Sequence, residues 1–118
     1  MAKRVSVTTG NTFEGYEIAE YLGVVRGIVV RAPTIGQGFV GNIARIFGGN
    51  IRAFEEVCER ARSDAYVRMV EHAQDKDADG IIAMRYDATE FGQNVTEVLA
   101  YGTAVKLRPM SSEHVKEH

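Results

Sequence analysis

The sequence predicts a single α+β domain, an antiparallel sheet packed on one long helix with a short helix beside it. Three observations carry that expectation. A β-branched apolar run lies near the amino terminus, an apolar stripe at alternating steps of three and four follows, and two strand-like segments close the chain. The length of 118 residues, with 45% hydrophobic and 25% charged content, suits one modest core and excludes collagen-like and low-complexity classes. Residues 1–109 form the expected domain, and 110–118 a polar tail that frays.

Arg4 to Thr8 reads as a short strand, and Gly10-Asn11 as a turn. Tyr21 to Ala32 is almost continuously apolar and β-branched, so a strand is expected, ended by Pro33, which has no amide hydrogen to offer a ladder. Gly23 and Gly27 inside it predict a bulge or a close backbone contact. Phe39, Ile43, Ile46 and Phe47 recur at helical spacing and predict a short helix stopped by Gly48-Gly49.

Asn50 suits the N-cap of a long helix from about Ile51 to Lys76, and Glu55 and Glu56 near its start suit the helix dipole. Its stripe is Ile51, Phe54, Cys58, Ala61, Ala65, Met69 and Ala73. The small Ala61 and Ala65 would let a sheet or helix approach closely, and Asp77-Ala78-Asp79-Gly80 closes the helix. Strands are then expected from Ile81 to Thr89 and from Val95 to Leu107, with a turn around Gly92-Gln93-Asn94. In the last strand Val95, Leu99, Tyr101, Val105 and Leu107 share one face, while Val98, Ala100, Gly102 and Ala104 share the other. One helix covers only one face of a small sheet. The second face therefore needs a partner, and another copy of the chain is the simplest.

The run Gly15-Tyr16-Glu17-Ile18-Ala19-Glu20-Tyr21-Leu22-Gly23-Val24-Val25-Arg26-Gly27 begins a set of four segments. The others are Gly48-Gly49 opening a long helix with Ala61-Arg62, then Ala78-Asp79-Gly80-Ile81-Ile82, and finally Ala100-Tyr101-Gly102-Thr103-Ala104-Val105. Together, in this order over roughly residues 5 to 108, they resemble the YbjQ-like family. The resemblance implies a dodecin-subunit-like fold assembled as a ring-shaped homopentamer, with no established reaction. It also implies a heavy-metal-binding description, and hence a divalent or heavy-metal ion as a candidate ligand.

Soft metals take thiolate and imidazole ligands, usually clustered. The chain has Cys58, His72, His114 and His118. Cys58 and His72 stand 14 residues apart on one helix, about 21 Å along its axis, so they cannot share an ion within one subunit. Cys58 reads as a small buried thiol on the apolar stripe, and His72 as a surface residue. His114 and His118, at i and i+4, would chelate an ion if the tail were helical; otherwise they belong to a solvated tail.

Gly48, Gly49, Asn50 and Arg52, with Arg45 nearby, offer a candidate anion site at a helix start, against the alternative of a tight capped turn. Gly36-Gln37-Gly38-Phe39-Val40-Gly41 has the letters of a dinucleotide fingerprint, but the position of its acidic partner falls near Ala61 inside the long helix, so the context fails. No catalytic constellation stands out, which leans against an enzyme.

The formal charge of -2 lacks the broad positive field of a nucleic-acid binder. One cysteine forms no internal disulfide, and no apolar run has signal-peptide or membrane-span length, so a cytoplasmic protein without a membrane role is expected. Residues 51 to 80 hold eight Asp or Glu against five Lys or Arg, as a solvated helix face does. The function expected is that of a homo-oligomeric binding or structural protein with small-ligand or metal sites at subunit interfaces; the alternative is a heavy-metal-binding or metal-responsive protein.

Overall fold

The computed structural model describes residues 3–31, 51–90 and 96–110. Four strands and one helix follow in the order β1 (Ser6–Val7), β2 (Tyr16–Arg31), α1 (Ile51–Asp75), β3 (Gly80–Glu90) and β4 (Thr96–Pro109). They form one sheet in the order β1-β3-β4-β2 with α1 on one face. The expected α+β layering is present, but the sheet is mixed rather than antiparallel. The β1 strand runs parallel to β3, pairing Ser6 with Gly80 and Val7 with Ile81, because β2 and α1 intervene and return the chain beside its own start. The expected short helix around Phe39 to Phe47, the Pro33 stop, the Gly36 to Gly41 loop and the turn at Gly92 to Asn94 lie outside the described residues.

The central β2 and β4 strands pair along nearly their whole length, from Tyr16 opposite Pro109 to Arg31 opposite Thr96. The β2 strand begins at Tyr16, five residues before the apolar run that predicts it. Its polar first turns of pleat are held by ladder partners Arg108 and Lys106, not by burial. Register shifts fall between Ile18 and Glu20 and between Tyr21 and Gly23, and Gly23 takes φ of 102°, a left-handed value that glycine adopts freely. The extra residue, Leu22, packs against the core.

Helix and sheet meet through small residues. Ala65, Met69 and Ala73 of α1 are fully buried against Val25 and Val29 of β2, Ile81 and Met84 of β3, and Ala100 and Ala104 of β4. At Gly27 a Cβ atom would overlap the carbonyl oxygen of Ala65 and the backbone nitrogen of Met69. That is the close approach expected of Gly27 and Ala65, and it excludes every other residue type unless α1 retreats.

The helix ends in a Schellman motif. The Ala78 amide donates to the Ala73 carbonyl at 3.0 Å, the Asp77 amide donates to the Gln74 carbonyl at 2.9 Å, and Asp77 carries φ of 59° between them. Ala73 and Ala78 are both fully buried, supplying the apolar contact that accompanies the motif. Asp77 rather than glycine occupies the left-handed position because its carboxylate is used: Lys3 Nζ lies 3.3 Å from one oxygen and Lys106 Nζ 2.9 Å from the other. Among the described residues, no helix is long and apolar enough to cross a membrane.

Candidate functional site

Strand pairing sorts the sheet's side chains into two faces. The predicted division of β4 holds: Ala100, Gly102 and Ala104 are buried on the face toward α1, with Val98 partly buried beside them. The reverse face carries cross-strand rows. Tyr21 lies opposite Val105, Val24 opposite Thr103, and Val30 opposite Glu97; Tyr101 lies between Arg26 and Arg85, and Leu99 between Ile28 and Asp87.

One end of that reverse face is covered by the chain's own amino-terminal segment. The Ala83 amide donates to the Gly10 carbonyl at 2.8 Å, the Met84 amide to the Thr8 carbonyl at 3.1 Å, and Arg85 Nη1 to the Thr9 carbonyl at 2.8 Å. The Phe13 ring lies over Gly80, close to Leu107. Under this strap Ile82 and Val105 are buried. Beyond it the face is open: Tyr21, Val24 and Val30 are 67%, 60% and 58% exposed. The β3 strand from Arg85 to Glu90 is exposed on both faces, so with its β4 neighbour it projects as an arm.

At the root of the arm, Glu59, Arg62, Ser63 and Tyr66 of α1 and Tyr86 of β3 line a groove of about 400 Å³. The helical residues recur at steps of three and one, on the side of α1 beside its buried stripe. Burial pushes the Tyr86 phenol above its ordinary range; Tyr66 and Glu59 add to the shift, and Arg62 opposes it. The lining supplies ring surface, hydrogen bonds and one guanidinium, and it contains no cysteine or histidine. It presents ring and polar surface to solvent but not a soft-metal donor set.

The metal candidates do not converge. Cys58 is exposed, not buried as its place on the apolar stripe predicts; the described stripe residues buried against the sheet begin at Ala61. His72 is half-buried rather than a free surface residue, with Nδ1 accepting the Arg26 amide hydrogen at 3.1 Å. Among the described residues no three His, Cys, Asp or Glu side chains gather where an ion could sit. His114 and His118 lie outside the described residues, as do Gly48, Gly49 and Asn50 and the side chain of Arg52. No described residues fit a resident metal.

A family model described as "Putative heavy-metal-binding" matches residues 5–108 of the chain. The chain belongs to the YbjQ family. The segments read from the sequence as resembling that family are thereby borne out, over the same span. Among its relatives, a UPF0145 protein of Legionella pneumophila strain Philadelphia 1 is 62% identical over 99 residues, covering 84% of this chain and 94% of the relative. A UPF0145 protein of Chromobacterium violaceum is 51% identical over 105 residues, covering 89% of this chain and 90% of the relative. A crystal structure of a protein of unknown function from Pediococcus pentosaceus, of the DUF74 family, superposes with a TM-score of 0.53 at 20% identity, covering 88% of this chain and 98% of that one. At that identity the likeness concerns the fold alone.

Two features of this YbjQ-family chain were not anticipated. The groove at Tyr66 and Tyr86 left a trace in the sequence, since Glu59, Arg62, Ser63 and Tyr66 recur on one side of the helix. The use of His72 against β2 left none, because it depends on which strand edge lies beside the helix.

Proposed function

We propose that this YbjQ-family protein acts as a subunit of a homo-oligomeric ring, a pentamer, whose role is structural or ligand-binding and whose sites lie where subunits meet. The observation that carries the proposal is the open half of the reverse sheet face. Tyr21, Val24 and Val30 sit there more than half exposed, next to partly covered Ile28 and Leu99. Large apolar side chains left this exposed on the sheet face that α1 does not cover support an interaction surface there. A second observation points the same way: the β3 strand from Arg85 to Glu90 is exposed along its whole length. An arm exposed on both faces gains burial by lying against another copy.

The ligand-binding part of the proposal rests on the groove of Glu59, Arg62, Ser63, Tyr66 and Tyr86. A charge on the open face tests the assembly. Val24→Glu and Val30→Glu should shift the sedimentation coefficient to that of a monomer while far-UV circular dichroism stays unchanged. Variants that keep the wild-type coefficient would exclude this face as the contact.

The alternative, a metal-binding or metal-responsive protein, is favoured by the family description and by the spacing of His114 and His118. Zinc, copper and nickel titrations of the full chain and of a chain lacking residues 111–118 distinguish the two. Saturable micromolar binding that survives the deletion would establish a metal role, and binding lost with the tail would reduce it to tail chelation.

A further inference from the structure

Among the described residues the β2 strand has β4 on one side and no strand on the other. Along such an edge alternate residues turn their N–H and C=O groups outward, toward water or any passing strand. Arg26 and Ile28 are two such residues, and α1 engages both. The Arg26 amide donates to His72 Nδ1 at 3.1 Å, and Arg68 Nη1 donates to the Ile28 carbonyl at 2.7 Å. Arg68 and His72 are four residues apart, so one face of α1 stitches two consecutive outward positions of the strand.

The two stitches differ in chemistry. A guanidinium stays charged at every physiological pH, so the Arg68 stitch is permanent. An imidazole nitrogen accepts a hydrogen bond only while it carries no proton, so the bond to Arg26 requires neutral His72 protonated at Nε2. A proton on Nδ1 would set donor against donor. We propose that His72 is a pH-sensitive latch on the β2 edge, closed while the imidazole is neutral and opened by its protonation, with Arg68 holding helix and strand together in both states.

The charged residues within a helical turn of His72 are Arg68, Glu71, Asp75 and Lys76; on β2 the Arg26 backbone amide meets the ring while the Arg26 side chain lies on the opposite sheet face, and Lys106, on the α1 face of β4, is engaged with Asp77. Opening frees the outward-pointing Arg26 amide hydrogen, while the Ile28 carbonyl stays held by Arg68. This inference is independent of the ring: it concerns one chain and holds for a monomer.

Nuclear magnetic resonance of the full-length protein tests it. A through-hydrogen-bond coupling between the Arg26 amide nitrogen and His72 Nδ1 should be present while the His72 ring shifts report a neutral imidazole, and vanish in step with those shifts as the ring takes up its second proton. Over the same range the Arg26 amide, corrected for its intrinsic exchange rate, should exchange about three- to tenfold faster, as loss of one hydrogen bond allows. His72→Ala should show the fast rate at both ends of the titration. A missing coupling at the alkaline end, or Arg26 protection that is equal on both sides of the His72 titration, overturns the proposal. If His72→Ala does not fold, the wild-type titration alone decides.

Discussion

Asp79 holds three parts of the chain together. Its carboxylate meets Lys3 Nζ at 2.6 Å and accepts the Leu107 amide hydrogen at 2.8 Å, while its own amide donates to the Val105 carbonyl at 2.9 Å. The hydrogen bond from Lys3, then that from the Leu107 amide, hold this carboxyl below the ordinary carboxylate range. Asp77 is lowered too, first by Lys106 and then by Lys3. A depressed carboxyl stabilises the fold at pH values above its unfolded pKa of about 3.9, and that contribution disappears as pH falls through the lower folded value. Lys3, raised chiefly by its bond to Asp79, works in the opposite sense and loses its contribution only above about pH 10.4. Urea unfolding between pH 2 and 7 should therefore show stability dropping below about pH 4, with a shallower drop in Asp79→Asn. An equally steep drop in that variant would remove Asp79 from the account. Gly27 is the second decisive residue. Gly27→Ala forces a methyl group into the backbone of α1 and should cost about 1–3 kcal/mol in urea unfolding; a neutral substitution would mean that helix and strand are not in close contact.

At the scale of elements, legibility followed the strength of periodicity. The long helix was legible nearly to its last residue because Ala61, Ala65, Met69 and Ala73 keep helical spacing and all prove buried. Both β4 faces were legible for the same reason. What was not legible depends on partners distant in sequence: the parallel pairing of β1, the polar start of β2 and the exposure of Cys58. The groove, too, needs β3 brought beside α1 before it exists. The β3 bulge shows the limit most clearly. Between Ile82 and Arg85 the register with β4 shifts, and Ala83 takes φ of 55°. Nothing in the letters Ile81 to Arg85 signals it, because the amino-terminal strap creates it through the Ala83 bond to Gly10 and the Met84 bond to Thr8. A left-handed alanine costs about 1–2 kcal/mol, which glycine avoids, while the greater freedom of glycine in the unfolded chain returns about 0.4–1 kcal/mol of that gain. Ala83→Gly should consequently raise stability by up to about 1 kcal/mol, read as a higher midpoint in thermal unfolding. A marked loss would mean that the alanine methyl makes a contact worth more than the strain.

The whole molecule is asymmetric in a way that one chain does not resolve. One sheet face is filled by α1, one end of the other is closed by residues 8–13, and the remainder leaves Tyr21, Val24 and Val30 in water. If self-association covers that remainder, the assembled protein should resist unfolding in proportion to its concentration, since binding stabilises the folded form by mass action. The transition midpoint would then climb on going from low to high micromolar protein, whereas a concentration-independent midpoint is the mark of a monomer. The most direct measurement is the native mass at micromolar concentration, by mass photometry or sedimentation equilibrium. The account predicts a species of about 65 kDa, five times the 13.0 kDa chain; a stable 13.0 kDa particle would contradict it.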